Sequence, residues 1–299
     1  MKFGIIGLGK IGGNLSLQAI RKGHQVTGYS LSLEELNFFK SKGLESADSI
    51  HSLVEMLDPP RIIFLYIPHG EPIDDVCEKI IPYLKSGDVL IDGGNSHWQD
   101  SVSRYKKFKD QGIYFLDCGT SGGVEGAING ACFMVGGDIE AYEIAKPIFK
   151  DLSVPEGCMY VGPAGSGHFT KLIHNAIEFG MLQAIGEGVA LLKASDYKLD
   201  LPEIMSNWSH GSVIRGWLIE LMEKGLRENK FDELSDYVED TREVRWAVEF
   251  GLKKEVWIPV IAQAELALYR SRDSENVSAK SVALMRNGFG GHPLHKKKT

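Results

Sequence analysis

Short apolar, β-branched runs alternate with helical stretches through the first half of this chain, and the alternation stops near residue 163. Runs at Lys2–Ile6, Gln25–Tyr29, Arg61–Ile67, Val89–Asp92, Tyr114–Asp117, Cys132–Val135 and Met159–Val161 predict strands. Helical periodicity falls between them, near residues 10–22, 33–42, 49–57, 72–84, 97–111 and 138–150. Strands separated by helices of that length build βαβ units and a mainly parallel, doubly wound sheet. After Gly162-Pro163-Ala164-Gly165 the strand signal is gone. Residues 168–194, 202–209, 212–229, 238–251 and 256–272 read as helix, with Pro202 and Pro259 marking breaks or bends. The expected fold class is α/β then all-α: residues 1–163 form the sheet domain and residues 164–299 a helical one, joined through a long helix that begins near His168.

That helix carries the densest chemistry. Lys171, His174, Asn175 and Glu178 fall at i, i+3, i+4 and i+7, a single stripe about 100° wide. Leu172, Ile173, Ala176, Ile177, Phe179, Met181, Leu182, Ala184 and Ile185 make most other sides apolar. A helix apolar nearly all round is expected to be buried, and buried polar groups need partners or a task. An amine, an imidazole, an amide and a carboxylic acid facing one volume can take a proton at one point of a substrate and return one at another.

At the amino end, Gly7-Leu8-Gly9-Lys10-Ile11-Gly12 follows the first strand and opens a helix, which is the G-x-G-x-x-G pattern of a Rossmann-type domain. The first glycine permits the turn, the second admits a pyrophosphate to the backbone, and the third lets helix and strand pack closely. Pro68, just past the third strand run, is a further cofactor-binding candidate. Ser30, after the second strand, lies where an acid would hold the ribose of NAD or an arginine the 2′-phosphate of NADP; its hydroxyl and that of Ser32 suit either, so the choice between NAD and NADP stays open.

Two further glycine-rich loops follow strands. In Asp92-Gly93-Gly94-Asn95-Ser96, Asn95 and Ser96 are expected in the crevice at the carboxyl ends of the strands, with Ser96 also suited to capping the next helix. In Gly119-Thr120-Ser121-Gly122-Gly123, a hydroxyl and glycine N–H groups can approach a carboxylate. The formal net charge of -7 argues against a nucleic-acid partner, since phosphate binding wants a basic face. Four cysteines without a close pair suit reduced thiols. The amino terminus runs straight into a strand pattern, and no apolar run of about 18 residues occurs. A cytoplasmic protein with no membrane partner is expected.

Taken together, Gly7-x-Gly9-x-x-Gly12, Asp92-Gly93-Gly94-Asn95-Ser96, Ser121-Gly122-Gly123-x-Glu125-Gly126-Ala127, Gly167-His168-Phe169-x-Lys171-x-x-His174-Asn175-x-x-Glu178 and Arg286-x-x-Phe289-Gly290-Gly291-His292 resemble the 6-phosphogluconate dehydrogenase family, in its short form, within the β-hydroxyacid dehydrogenases. The resemblance implies oxidative decarboxylation of a sugar acid with NAD or NADP and no metal. It casts Lys171 as the base, its pKa lowered by burial, and Glu178 as the acid that protonates C1. It assigns Asn95, Ser121, Gly122, Gly123, His174 and Asn175 to substrate, and Asn95 also to the cofactor. It further implies a homodimer or homotetramer in which Arg286 and His292, on the C-terminal tail, reach a neighbouring subunit's active site; the helical domain would then serve substrate binding and oligomerisation.

The chain departs from the family pattern where a phosphate would sit. Phe179 replaces a tyrosine, Leu268 falls where an arginine is expected, and Glu239–Trp246 lacks a glycine-containing approach. Either Arg215, Arg242, Arg245 or Arg270 takes over, or the same chemistry acts on a related aldonate or other β-hydroxyacid with a different terminal group.

Overall fold

A computed structural model of the 299-residue chain describes residues 1–228, 231–290 and 293–295. Its eight strands are β1 (Lys2–Ile6), β2 (Gln25–Tyr29), β3 (Glu45–Ser46), β4 (Ile62–Leu65), β5 (Val89–Asp92), β6 (Tyr114–Ser121), β7 (Ala131–Gly136) and β8 (Ser153–Gly162). Between them run α1 (Gly12–Arg21), α2 (Leu33–Lys40), α3 (Ile50–Glu55), α4 (Glu71–Ile80), α5 (Trp98–Lys109), α6 (Gly123–Asn129) and α7 (Ile139–Leu152). The sheet order is β3-β2-β1-β4-β5-β6-β7-β8, parallel throughout except for the antiparallel pair β6 and β7. The order reverses between β1 and β4, the topological switch point at which doubly wound sheets leave a crevice outside their carboxyl ends.

Period-two alternation decides which face each side chain enters. Phe3, Ile5, Ile62, Phe64, Val89, Ile91, Leu116 and Cys118 pack into one core, together with residues of α1 and α7. The intervening Ile6, Ile63, Leu65, Leu90 and Phe115 pack into the other, against α3, α4 and α5. Because both faces are covered, the central strands Ile62–Leu65 and Val89–Asp92 are buried at every position, as a parallel sheet requires.

The two compact units of the chain are Met1–His174 and Asn175–Thr299. The division falls inside α8 (Ser166–Lys193), so the first two turns of this helix belong with the sheet rather than with the helices that follow the 163/164 junction. The second unit continues with α9 (Leu201–Ser209), α10 (Trp217–Glu228), α11 (Glu243–Lys253), α12 (Pro259–Arg272) and α13 (Val277–Gly290). Val189, Met205 and Ile219 form a small core there, lined by Ile185, Leu192, Trp208 and Leu226. Helix α13 occupies a stretch that the sequence pattern leaves as a tail, and α6 and the two-residue β3 are likewise absent from that pattern.

One expectation fails. Helix α8 is not buried on all apolar sides: Leu172 and Ala176 are, but Ile177 is 54% exposed, Met181 51% and Leu191 75%. Periodicity marks these faces as apolar without saying what covers them. Among the described residues, no helix is long and apolar enough to cross a membrane, and no group of three or more His, Cys, Asp or Glu could hold a metal ion.

Burial sorts the thiols. It pushes Cys77 up to about 12 and Cys118 well above the ordinary thiol range, while Cys132 is exposed. Since the thiolate is the reactive form, an alkylating reagent is expected to label Cys132 first and Cys77 and Cys118 only on unfolding. Peptide mass mapping of the native protein checks this; early labelling of Cys118 would contradict the packing.

Candidate active site

The loop from β1 to α1 is shaped by glycines that admit no side chain. A Cβ on Gly7, which has φ of +95°, would meet the Tyr66 carbonyl oxygen at 2.3 Å, and one on Gly12 would meet the Gly7 carbonyl oxygen at 2.1 Å. At Gly9 the same construction meets nothing within 4 Å, so that backbone borders open space. Helix α1 has no side-chain cap and no acid in its first turn. Its N-terminal N–H groups and dipole are therefore suited to an anion, as a dinucleotide pyrophosphate requires. Lys10 is exposed and Leu8 and Ile11 pack into the adjoining core. Pro68 is exposed just beyond β4. The N–H of Gly7 donates to the carbonyl of Tyr29 at 2.9 Å, which brings Ser30 beside this loop; the Ser30 hydroxyl donates to Glu35 Oε2 at 2.7 Å.

Tyr66, which sequence reasoning passed over as a strand residue, joins three of these loops. A Cβ on Gly93 would collide with its ring at 2.5 Å, and its hydroxyl lies 3.2 Å from Thr120 Oγ1. Burial keeps that phenol protonated, well above the ordinary tyrosine range.

The Gly93–Ser96 loop is held from beneath by Asp92, which is fully buried. Its Oδ1 accepts from the Gly94 N–H at 3.1 Å and its Oδ2 from the Ser96 hydroxyl at 2.7 Å, with Arg104 Nη1 at 3.5 Å. Ser96 is thus a buried brace and does not face the crevice; the cap of α5 is His97. Asn95, the next residue back, is exposed.

Helix α8 is seated on the sheet by one carboxylate and three glycines. Asp117, fully buried in β6, accepts from the N–H of Gly165 at 2.7 Å and of His168 at 2.8 Å. Here a side chain 48 residues away in sequence satisfies the orphan donors of the helix start, where the dipole also favours a negative charge. A Cβ on Gly119 would lie 2.4 Å from Lys171 Cβ, one on Gly136 2.7 Å from Gly167 N, and one on Gly167 2.3 Å from the Asp117 carbonyl oxygen. His168, also buried, reaches Ser101 Oγ on α5 at 2.7 Å.

This seating sets the polar stripe. Lys171 is 8% exposed. Its Nζ lies 3.4 Å from His174 Nδ1, and His174 Nε2 lies 3.1 Å from Ser121 Oγ at the end of β6. When Lys171 is an ammonium it only donates, so Nδ1 accepts and the Nε2–H donates to Ser121; a neutral lysine permits the reverse. The three groups form a chain along which a proton can be handed at the carboxyl edge of the sheet. Gly122 and Gly123, both with positive φ, follow Ser121, and a Cβ on Gly123 would meet nothing within 4 Å. Asn175 and Glu178 continue the stripe on the same helix, Asn175 buried and Glu178 half-buried. Arg286 is exposed on α13, and His292 lies outside the described residues.

A dinucleotide cradle on a doubly wound sheet, followed by a helix that carries acid–base groups, defines a nucleotide-dependent oxidoreductase. The family model for the NAD binding domain of 6-phosphogluconate dehydrogenase matches residues 2–162, and that for the 6-phosphogluconate dehydrogenase C-terminal domain matches residues 192–299. The chain belongs to the 6-phosphogluconate dehydrogenase family of NAD(P)-dependent enzymes. It is 45% identical to the Bacillus subtilis (strain 168) protein named "Putative 6-phosphogluconate dehydrogenase YqeC", over 99% of this chain and 100% of that one. It is 37% identical to the NAD(+)-dependent, decarboxylating 6-phosphogluconate dehydrogenase of Haloferax volcanii, over 99% of both. Among solved structures, Plasmodium falciparum 6-phosphogluconate dehydrogenase superposes with a TM-score of 0.85 at 27% identity, over 99% of this chain but 66% of that one.

Both oxygens of Asp117 face N–H donors, so Asp117→Asn turns an amide NH2 towards one of them. The expected loss is about 1–3 kcal/mol of stability, read from denaturant unfolding. An unchanged midpoint would mean that the carboxylate does not hold the helix.

Proposed function

We propose that this chain catalyses the oxidative decarboxylation of 6-phosphogluconate to ribulose 5-phosphate with reduction of NAD or NADP. The observation that carries the reading is the Lys171–His174–Ser121 chain at the carboxyl edge of the sheet, in a protein that aligns end to end with short relatives of this family. A bound nicotinamide would supply the acceptor for the hydride that leaves C3 of the substrate. Lys171, in its neutral form, takes the proton of the 3-hydroxyl. The resulting β-keto acid releases its carboxyl group as carbon dioxide, and the lysine, now an ammonium, stabilises the developing enolate oxygen. Glu178 then protonates C1 of the enediol. Asn95, Ser121, Gly122, Gly123, His174 and Asn175 hold the carboxylate and hydroxyls, with Asn95 also beside the cofactor.

The same proposal includes self-association as a homodimer or homotetramer in the cytoplasm, with Arg286 and His292 completing a neighbouring subunit's site. What supports it is the apolar surface of the second unit, where Trp257 is 87% exposed, Leu252 74% and Val260 68%, beside the uncovered side of α8. Large apolar side chains without cover are what a subunit contact would bury. A second reading, the same chemistry on an aldonate without the phosphate, draws on the surroundings of the candidate phosphate arginines. Arg245 pairs with Glu249 at 2.9 Å, and Leu268 is buried.

Steady-state rates with 6-phosphogluconate beside gluconate separate the two readings: 6-phosphogluconate is expected to be preferred, and a gluconate preference would overturn the first. Lys171→Met should lower turnover roughly 100- to 10,000-fold while leaving dinucleotide affinity nearly intact. Equal loss of both would mean that the lysine is structural.

A further inference from the structure

The ribose end of the dinucleotide site holds a carboxylate that the sequence pattern does not announce. In doubly wound folds the acid that receives an adenosine ribose normally stands at the end of the second strand, and here that position is Ser30. The structure places Glu35, from the first turn of α2, against it. The Ser30 hydroxyl donates to Glu35 Oε2 at 2.7 Å and accepts from the Ser32 N–H at 3.2 Å. A serine hydroxyl has one proton, and this one is spent on the carboxylate. The serine is therefore not free to donate to a phosphate unless it gives up Glu35. Ser32 caps the same helix by accepting from the Glu35 N–H at 3.3 Å, which fixes the backbone from which the carboxylate reaches back.

Charge around the pair points the same way. From Gln25 to Phe39 there is no lysine or arginine, and Lys40, the first cation after β2, lies in the last turn of α2. The position is tied to the cofactor loop, because Gly7 donates to the carbonyl of Tyr29, the residue before Ser30.

We propose that Glu35, held in place through Ser30, selects NAD+ over NADP+: its carboxylate accepts the 2′-hydroxyl of the adenosine ribose and repels a 2′-phosphate. The selection rests on the family's dinucleotide site and not on which sugar acid is oxidised, so it is tested by binding without substrate. Dissociation constants for NADH and NADPH, read from nicotinamide fluorescence, should favour NADH by about tenfold or more. Glu35→Gln should shrink that ratio by about tenfold, through weaker NADH and tighter NADPH binding. Equal or tighter NADPH binding by the unmodified protein would overturn the proposal whether or not the variant folds. An unchanged ratio in a folded Glu35→Gln would overturn it as well. A loss of 6-phosphogluconate turnover with the NADH preference intact would count against the substrate reading alone.

Discussion

The pair of hydrogen bonds from the Gly165 and His168 amides to the buried Asp117 carboxylate is the interaction on which the candidate site depends. A helix start buried without partners would leave several N–H groups unsatisfied. Asp117 meets that need from inside the sheet, at a point fixed by the register of β6 with β5 and β7. The helix cannot slide or roll without breaking these bonds. The lack of side chains at Gly119, Gly136 and Gly167 lets it come so close that backbone meets backbone. Lys171 and His174 therefore take their positions from the sheet, even though they sit on a helix that runs on into the second unit.

The same economy of backbone shapes the candidate nucleotide loops. Gly7, Gly12 and Gly93 crowd around Tyr66, whereas Gly9 and Gly123 border open space. Glycine has two distinct uses here: at the first three positions a side chain would strike the protein, and at the other two it would occupy space that a ligand can use. Asp92 braces the Gly93–Ser96 loop as Asp117 braces the helix, so Asp92 at the carboxyl end of β5 and Asp117, paired with it midway along β6, are structural supports. Both carboxylates are fully buried.

The elements legible in the sequence were those with strong local periodicity or a local motif. The G-x-G-x-x-G turn works through its own few residues, and the Lys171-to-Glu178 stripe follows from helical spacing, so both were visible without coordinates. Asp117 was not, because its partners lie 48 and 51 residues on; in sequence it is simply the last polar residue of a strand. Tyr66 was hidden for a similar reason, with its hydroxyl partner 54 residues away. Glu35 is only five residues from Ser30, yet nothing in the spacing says that a first-turn side chain folds back onto the strand end. Ser96 reads as a crevice or cap residue, but its hydroxyl is spent on Asp92, four residues back, and His97 caps the helix instead. The apolar flanks of α8 mark the limit of periodicity itself: Ile177 and Met181 show the same pattern whether they enter a core or a contact with another chain.

If the seating of α8 on β6 positions the reactive lysine, crowding that contact should damage chemistry before it damages cofactor binding. The most direct measurement is the turnover of Gly119→Ala with 6-phosphogluconate, taken beside its dinucleotide affinity, because the added methyl falls on Lys171 Cβ. Displacement of the helix should cost about a hundredfold in turnover, with affinity for the dinucleotide retained. Turnover equal to that of the unmodified protein would contradict the account.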